Sequence, residues 1–364
     1  MSTKLRVGLI GANVTRGWSP RAHLPALLAL PDIELAAVCT AHEDTARESA
    51  AKFGAPMAFH SHQEMLKRAD IDVIGVSVRV PLHYELTMAA LEAGKHVYTE
   101  WPLGANLQEA EKMADLALRK GVRTMVGLQG RCSPVYLTLK ELIEEGYAGE
   151  VLAVNMVSFG SGVLERTSDR TWQRDNRLGA TTLTIAFGHI IDALCMCLGE
   201  FAEVTAVVRT RVAQWQESDT GRTVDVTAPD NILVSGSLKN GALVSAHAAS
   251  IPWHGSGYRL EVYGRKGTLA VETLEHPHLR STRLLGGKEG DSELKELPVP
   301  ERHTWVPDTV PQGPPFNVAQ MWSRFGEGIR NDKPVSPDFD AAVTRHRLLD
   351  AIQRASETGQ SQEL

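Results

Sequence analysis

Short apolar runs alternate with segments of helical period through the first third of the chain. Val7–Ile10 reads as a buried strand that breaks at Gly11, crosses a polar turn and re-enters structure at Ser19–Pro20, a helix cap followed by a helix-tolerant proline. Ile33–Cys39, Asp72–Val78, His96–Thr99 and Val122–Leu128 predict further strands. Glu43–Phe53, Leu82–Ala93 and Leu107–Lys120 predict helices, closed by Gly54, Gly94 and Gly121. This alternation predicts an α/β domain, a parallel sheet covered by helices on both faces. Ligands of such sheets sit beyond the carboxyl ends of the strands. Those ends are Gly11–Trp18, Thr40–His42, Ser77–His83, Glu100–Pro102 and Gln129–Arg131, which together form the expected cofactor surface.

After about Gly130 the pattern changes. Pro134–Glu145 predicts a long helix, and Val151–Val157, Glu203–Thr210, Asn231–Ser237, Ala242–Ala248 and Tyr258–Tyr263 predict strands. Lys239–Gly241 and Arg265–Gly267 read as hairpin turns, so this sheet is expected to be large, open and mostly antiparallel. An irregular segment precedes an apolar helix over Thr184–Leu198. Leu284–Pro315, rich in Gly, Pro and charge, reads as a long excursion or flap. Two helices close the chain, Asn317–Arg330 and Phe339–Glu357, the second capped by Ser336 or Asp338. The expected division is a dinucleotide-binding Rossmann domain over residues 1–130 and an α+β substrate and oligomerisation domain over 131–364.

Composition changes this picture little. The chain has 364 residues, 43% hydrophobic and 23% charged, with net charge −6, which gives no support for a nucleic-acid surface. Met1 to Val7 run straight into the first strand, leaving no room for a signal peptide, and no uninterrupted apolar run approaches the roughly 20 residues of a membrane span. Cys39, Cys132, Cys195 and Cys197 form no disulfide framework, and Cys195-Met-Cys197 reads as helix core rather than a metal site. A reduced, cytoplasmic protein without a metal is expected.

Strand, glycine turn and helix make the first unit of a dinucleotide fold, in which free amides face a pyrophosphate. The usual G-x-G-x-x-G is here Gly11-x-Asn13-x-x-x-Gly17, one residue longer, with asparagine expected to supply the left-handed backbone of the second glycine. At the end of the second strand, where an acid would bond ribose hydroxyls and repel a phosphate, stands Thr40, with His42 nearby. A hydroxyl tolerates the added phosphate of NADP, and Arg16 is placed to help bind it. NADP is therefore the expected cofactor, with NAD open.

Val7–Gly11, Leu91–Val97, Glu100-Trp101-Pro102, Gly188–Asp192, Val262–Thr268 and Leu349–Gly359 together resemble the Gfo/Idh/MocA oxidoreductases over nearly the whole chain. Gly8-Leu-Ile-Gly-x-Asn-x-x-x-Gly-Trp18, Glu100-Trp101, Leu128–Pro134 and Phe187–Asp192 are similar to the branch that includes a fungal galactose-pathway repressor, which binds dinucleotide and acts through protein contacts. The resemblance implies a lysine at Trp101 and an aspartate at Ile185 for proton handling, and keeps the third group, His189. Indole is a donor only and exchanges no proton at working pH.

The resemblance thus implies His189 as acid or base. Asp192, three residues on, is expected to orient the ring, or the two form a packing pair without substrate. It also implies cofactor contacts from Gly11, Asn13, Arg16, Gly17, Trp18, Thr40, His42, Ser77, Val78, His83, Glu100, Trp101 and Gln129. Substrate contacts are expected from Arg131, Trp101, His189, Arg174 and Asp175; the last two line a pocket or hold a loop. Two functions stay open. One is an NAD(P)-dependent oxidoreductase of a sugar, cyclitol or related polyhydroxy or keto compound. The other is a non-catalytic dinucleotide-binding sensor that acts on a protein partner. A homo-oligomer, dimer or tetramer, is expected in either case.

Overall fold

The computed structural model describes residues 4–279 and 282–364. The chain divides into two compact units, Met1–Gln129 with Thr304–Thr344, and Gly130–His303 with Arg345–Leu364. The later return to the first unit over Thr304–Thr344 departs from the expected division, because it rests on helix packing between residues far apart in sequence.

In the first unit the strands β1 (Leu5–Ile10), β2 (Ile33–Cys39), β3 (Met57–Phe59), β4 (Val73–Val76), β5 (His96–Thr99) and β6 (Thr124–Val126) form one sheet in the order 3-2-1-4-5-6. All its pairs are parallel. The central strands are buried on both faces, which is why they read as unbroken apolar runs. Helices α1 (His23–Ala29), α2 (Glu43–Phe53), α3 (His62–Leu66), α4 (His83–Glu92) and α5 (Leu107–Lys120) connect them. α2 and α5 end at Gly54 and Gly121 in the left-handed conformation. α1 starts at His23, so Ser19 is not its cap; the buried Ser19 hydroxyl instead lies 3.5 Å from the Ser77 carbonyl.

The second unit opens with α6 (Pro134–Glu144) and contains α7 (Gly188–Leu198). Its strands are β7 (Val151–Ser161), β8 (Glu165–Arg166), β9 (Phe201–Arg209), β10 (Gln214–Glu217), β11 (Thr223–Asp225), β12 (Asn231–Leu238), β13 (Leu243–Ile251), β14 (Gly257–Gly264), β15 (Gly267–Thr273), β16 (Arg283–Lys288), β17 (Lys295–Glu296) and β18 (Gln362–Glu363). Nine of them form a sheet in the order 17-16-15-14-7-13-12-9-18, antiparallel except at β7 and β13. β8, β10 and β11 form a small separate sheet.

The expected flap is in part sheet. Leu284 and Leu285 are buried, and Gly286 and Gly287 let β16 pack closely on Tyr147 and Leu294, so the strand extends the sheet edge. Asn176–Leu198, although interrupted by polar residues, is by length and mean hydropathy apolar enough to cross a membrane, but 72% of its apolar window is buried, the place of a core helix. Helices α8 (Pro314–Arg330) and α9 (Phe339–Thr358) precede the final strand β18, and the Asp338 carboxylate accepts from the Ala341 amide, so Asp338 is the cap.

Candidate functional site: a dinucleotide cradle and a histidine helix

The first turn is shaped by contact, not by a second glycine. Gly11 has φ 87°, and a Cβ there would stand 2.1 Å from the Ser77 carbonyl oxygen, so only glycine lets the turn lie against the loop after β4. Gly17 also has positive φ. Asn13 corrects the expectation. It is not among the positive-φ positions of the described residues; its side-chain oxygen instead accepts from the Thr15 and Arg16 amides, both at 2.9 Å. Asparagine closes the longer turn through its side chain. Arg16 is exposed, and Lys52, which the sequence reading missed, donates to the Val14 carbonyl of the same turn.

Three polar atoms at the carboxyl ends of the strands are buried and have no hydrogen-bond partner in the protein: Trp18 Nε1, Ser77 Oγ and Gln129 Oε1. Such an orphan costs about 1–3 kcal/mol unless a ligand or water satisfies it. Their placement after β1, β4 and β6, at the same carboxyl edge of the sheet as Gly11, fits a dinucleotide. At the end of β2 the Thr40 hydroxyl is engaged with Thr45 Oγ1 at 2.7 Å and the His42 carbonyl at 3.0 Å, and His42 is exposed.

His83 is a positioning residue. Burial pushes its ring below the ordinary histidine value, and its nitrogens lie 2.8 Å from the Pro102 carbonyl and 3.2 Å from the Val78 carbonyl. It ties the loop after β4 to the loop after β5. Trp101, in the second of these loops, is buried. Glu100 is buried too, with Oε1 2.7 Å from His23 Nε2 and Oε2 accepting from Gln129 Nε2 at 3.0 Å. The Trp322 indole donates to His23 Nδ1 at 3.0 Å. His23 and Trp322 carried no motif and were missed.

In the second unit a turn of π-helix, Thr182–Phe187, leads into α7 and is started by a capping box between Thr181 and Thr184. Such turns are frequent at functional sites. His189 follows on the first turn of α7, its ring stacked on His278 at 4.0 Å. The expectation for Asp192 is corrected. Its carboxylate receives Arg131 Nε at 2.9 Å, Arg131 Nη2 at 2.7 Å and Arg345 Nε at 3.1 Å. Burial pushes Asp192 up, but the two guanidiniums outweigh it and hold the carboxyl below its usual range. Its charge therefore orients arginines rather than the imidazole.

Arg174 and Asp175 hold a loop. Arg174 donates to the Asp225 carbonyl, and Asp175 accepts from the Arg177 amide and side chain, which lowers its carboxyl to about 2. Among the described residues no cluster of His, Cys, Asp or Glu is arranged to hold a metal.

The model of an oxidoreductase family with an NAD-binding Rossmann fold matches residues 5–128, and that of the Gal80p C-terminal domain matches residues 134–273. The dehydrogenase aclE of Aspergillus oryzae is 30% identical over 378 aligned residues, spanning 99% of this chain and 98% of that protein. The chain belongs to the Gfo/Idh/MocA oxidoreductase family. Within the family it stands near the Gal80-like branch. Levoglucosan dehydrogenase of Pseudarthrobacter phenanthrenivorans is 28% identical over 73% of each chain. A super-repressor mutant of Gal80p from Saccharomyces cerevisiae has the same fold, with TM-score 0.88 and 23% identity, covering 100% of this chain and 99% of that one. The NAD-binding Rossmann assignment agrees with the parallel order 3-2-1-4-5-6.

Proposed function

We propose that this protein is a nicotinamide-dependent oxidoreductase that moves hydride to or from a sugar, a cyclitol or a related polyhydroxy or keto compound. The observation that carries the reading is the cradle of Gly11 and the orphaned Trp18, Ser77 and Gln129 atoms. Similarity over the whole chain to a protein named a dehydrogenase, and over most of it to levoglucosan dehydrogenase, supports catalysis on a hydroxyl-bearing substrate.

When bound, the dinucleotide supplies or accepts hydride. In the oxidising direction His189 takes the hydroxyl proton as the carbinol carbon loses hydride; in the reducing direction it returns the proton to the carbonyl oxygen. Trp101 contributes ring surface and a donor but no proton exchange. Asp192 acts at one remove, by fixing Arg131, which we assign to the substrate. NADP is the preferred form, with NAD accepted, because Thr40 rather than an acid follows β2 and Arg16 stands exposed beside the turn. Exposed Leu152, Val207, Leu233, Leu243 and Tyr263 on the nine-stranded sheet support a homo-oligomer, dimer or tetramer, which a monomer in light scattering would exclude. Four free cysteines agree with a cytoplasmic setting.

The test is reduced-nicotinamide absorbance with each cofactor across a panel of sugars, cyclitols and ketosugars, followed by His189→Ala. Turnover lost in that variant with cofactor affinity kept supports the assignment; unchanged turnover refutes it. The second reading, a dinucleotide-binding regulator that acts through a protein partner, is favoured by the Gal80p C-terminal domain match together with Trp101 and Ile185 at the expected proton-handling positions. Tight cofactor binding with no redox change across the panel favours it.

A further inference from the structure

We infer that Glu100 biases the bound nicotinamide toward its oxidised form and so poises the protein to reduce a carbonyl substrate. The inference rests on the dinucleotide-binding reading above and adds a direction to it.

The position comes from the topology. In the order 3-2-1-4-5-6 the chain reverses at β1, the pyrophosphate lies at the first turn, and the two halves of the dinucleotide extend to either side. The adenosine half belongs over β2, at Thr40. The nicotinamide half belongs over β4, β5 and β6. Glu100 follows β5 directly, and its partner Gln129 follows the loop after β6, with the orphaned Oε1 among the cradle atoms. Gly127 makes room for this carboxylate: a Cβ at that position would stand 2.4 Å from Glu100 Oε2.

The charge comes from the hydrogen bonds. Indole only donates, so the bond from Trp322 Nε1 makes His23 Nδ1 an acceptor and leaves the ring proton on Nε2. His23 therefore meets Glu100 as a neutral donor. Gln129 presents a second neutral donor to the other carboxylate oxygen. Both oxygens of the Glu100 carboxylate thus face N–H donors. Among the described residues no lysine or arginine is paired with Glu100, and the next residue, Trp101, adds no cation. The carboxylate is thus buried between two neutral dipoles. Burial weakens solvent screening of its field.

The oxidised nicotinamide ring is cationic and the reduced ring is neutral. A fixed anion on that side favours the first, which lowers the potential of the bound couple. A bound reduced dinucleotide would supply hydride to a ketone or aldehyde carbon, and the oxygen would take the proton assigned above to His189. The products are an alcohol and the oxidised dinucleotide.

The test is a set of dissociation constants for NADP⁺, NADPH, NAD⁺ and NADH, by calorimetry for the oxidised forms and by fluorescence for the reduced ones. They are measured on the intact wild type and on Glu100→Gln, with thermal melting as the check of folding. The wild type is expected to bind the oxidised form of its preferred cofactor at least as tightly as the reduced form. Glu100→Gln keeps the side-chain shape, and Gln129 can turn its amide to match. It is expected to shift the ratio about tenfold toward the reduced form, equivalent to about 30 mV for a two-electron couple.

A wild type that binds the reduced form more than about tenfold tighter overturns the inference, even if the variant fails to fold. So does a folded variant whose ratio is unchanged. Absence of binding by all four forms to the wild type overturns the dinucleotide reading itself, a distinct result.

Discussion

The ion network around Asp192 makes a strong quantitative prediction. Asp192 and Arg345 are 1% and 0% exposed and Arg131 is 16% exposed, while Glu200, which accepts from Arg345 Nη2 at 2.9 Å, is 35% exposed. One buried carboxylate thus serves two guanidiniums. At about 4 Å and an effective dielectric of about 20, each pair interacts by about 4 kcal/mol before dehydration is counted. Dehydration cancels much of this gain, so the intact network adds little net stability. Breaking it is another matter.

Asp192→Asn removes the negative charge and turns an amide donor toward donors, leaving Arg345 with the partly exposed Glu200 as its carboxylate and with the weak acceptor Cys195 Sγ. The expected cost is about 3–5 kcal/mol, or about 6–20 °C in melting temperature for a domain of this size. Arg345→Met leaves the two-pronged Arg131–Asp192 contact intact and is expected to cost less. The acid side follows from linkage. Asp192 has a lowered carboxyl in the folded state, so its stabilisation is full above the unfolded value of about 3.9 and is lost as pH falls through the folded value. Melting scans and urea midpoints between pH 3 and 8 would show the wild type losing stability at the acid end and Asp192→Asn losing less there. A variant that melts within about 1 °C of wild type at neutral pH would refute the reasoning, as would the reverse order of the two substitutions.

Other outcomes follow from single contacts. Gly11→Ala forces a Cβ to 2.1 Å from the Ser77 carbonyl at φ 87°; calorimetry should show dinucleotide affinity falling more than about tenfold, with about 1–3 kcal/mol of stability lost in melting. Arg16→Ala should weaken NADP more than NAD, and equal loss of both would remove Arg16 from the phosphate. The four cysteines are buried, which raises Cys39 to about 11 and Cys195 to about 12. A thiol reagent at pH 8 should therefore label none within minutes in the native protein and all four in denaturant.

The sheet order and most element positions follow from local signals. Strands buried on both faces are uninterrupted apolar runs, and helix ends at Gly54 and Gly121 need the left-handed conformation that glycine supplies. At Gly11 the backbone geometry itself carries the reading. Where a side chain decides, local rules mislead. Asn13 was read by its tolerance of positive φ, yet it acts as an acceptor for two amides. Asp192 was assigned to the histidine three residues away, yet its second cation comes from Arg345, 153 residues on and wholly buried in a helix whose pattern gives an arginine no reason to turn inward. His23, Glu100 and Trp322 make the same point with consequences for chemistry. His23 and Trp322 look like ordinary helix residues by themselves, and only their contact with each other and with Glu100 fixes a tautomer. The tautomer of His23, and with it the donor that Glu100 receives, is therefore set by an indole 299 residues away, so Trp322→Phe should change the binding ratio of oxidised to reduced cofactor proposed for Glu100 without altering the Gly11 turn.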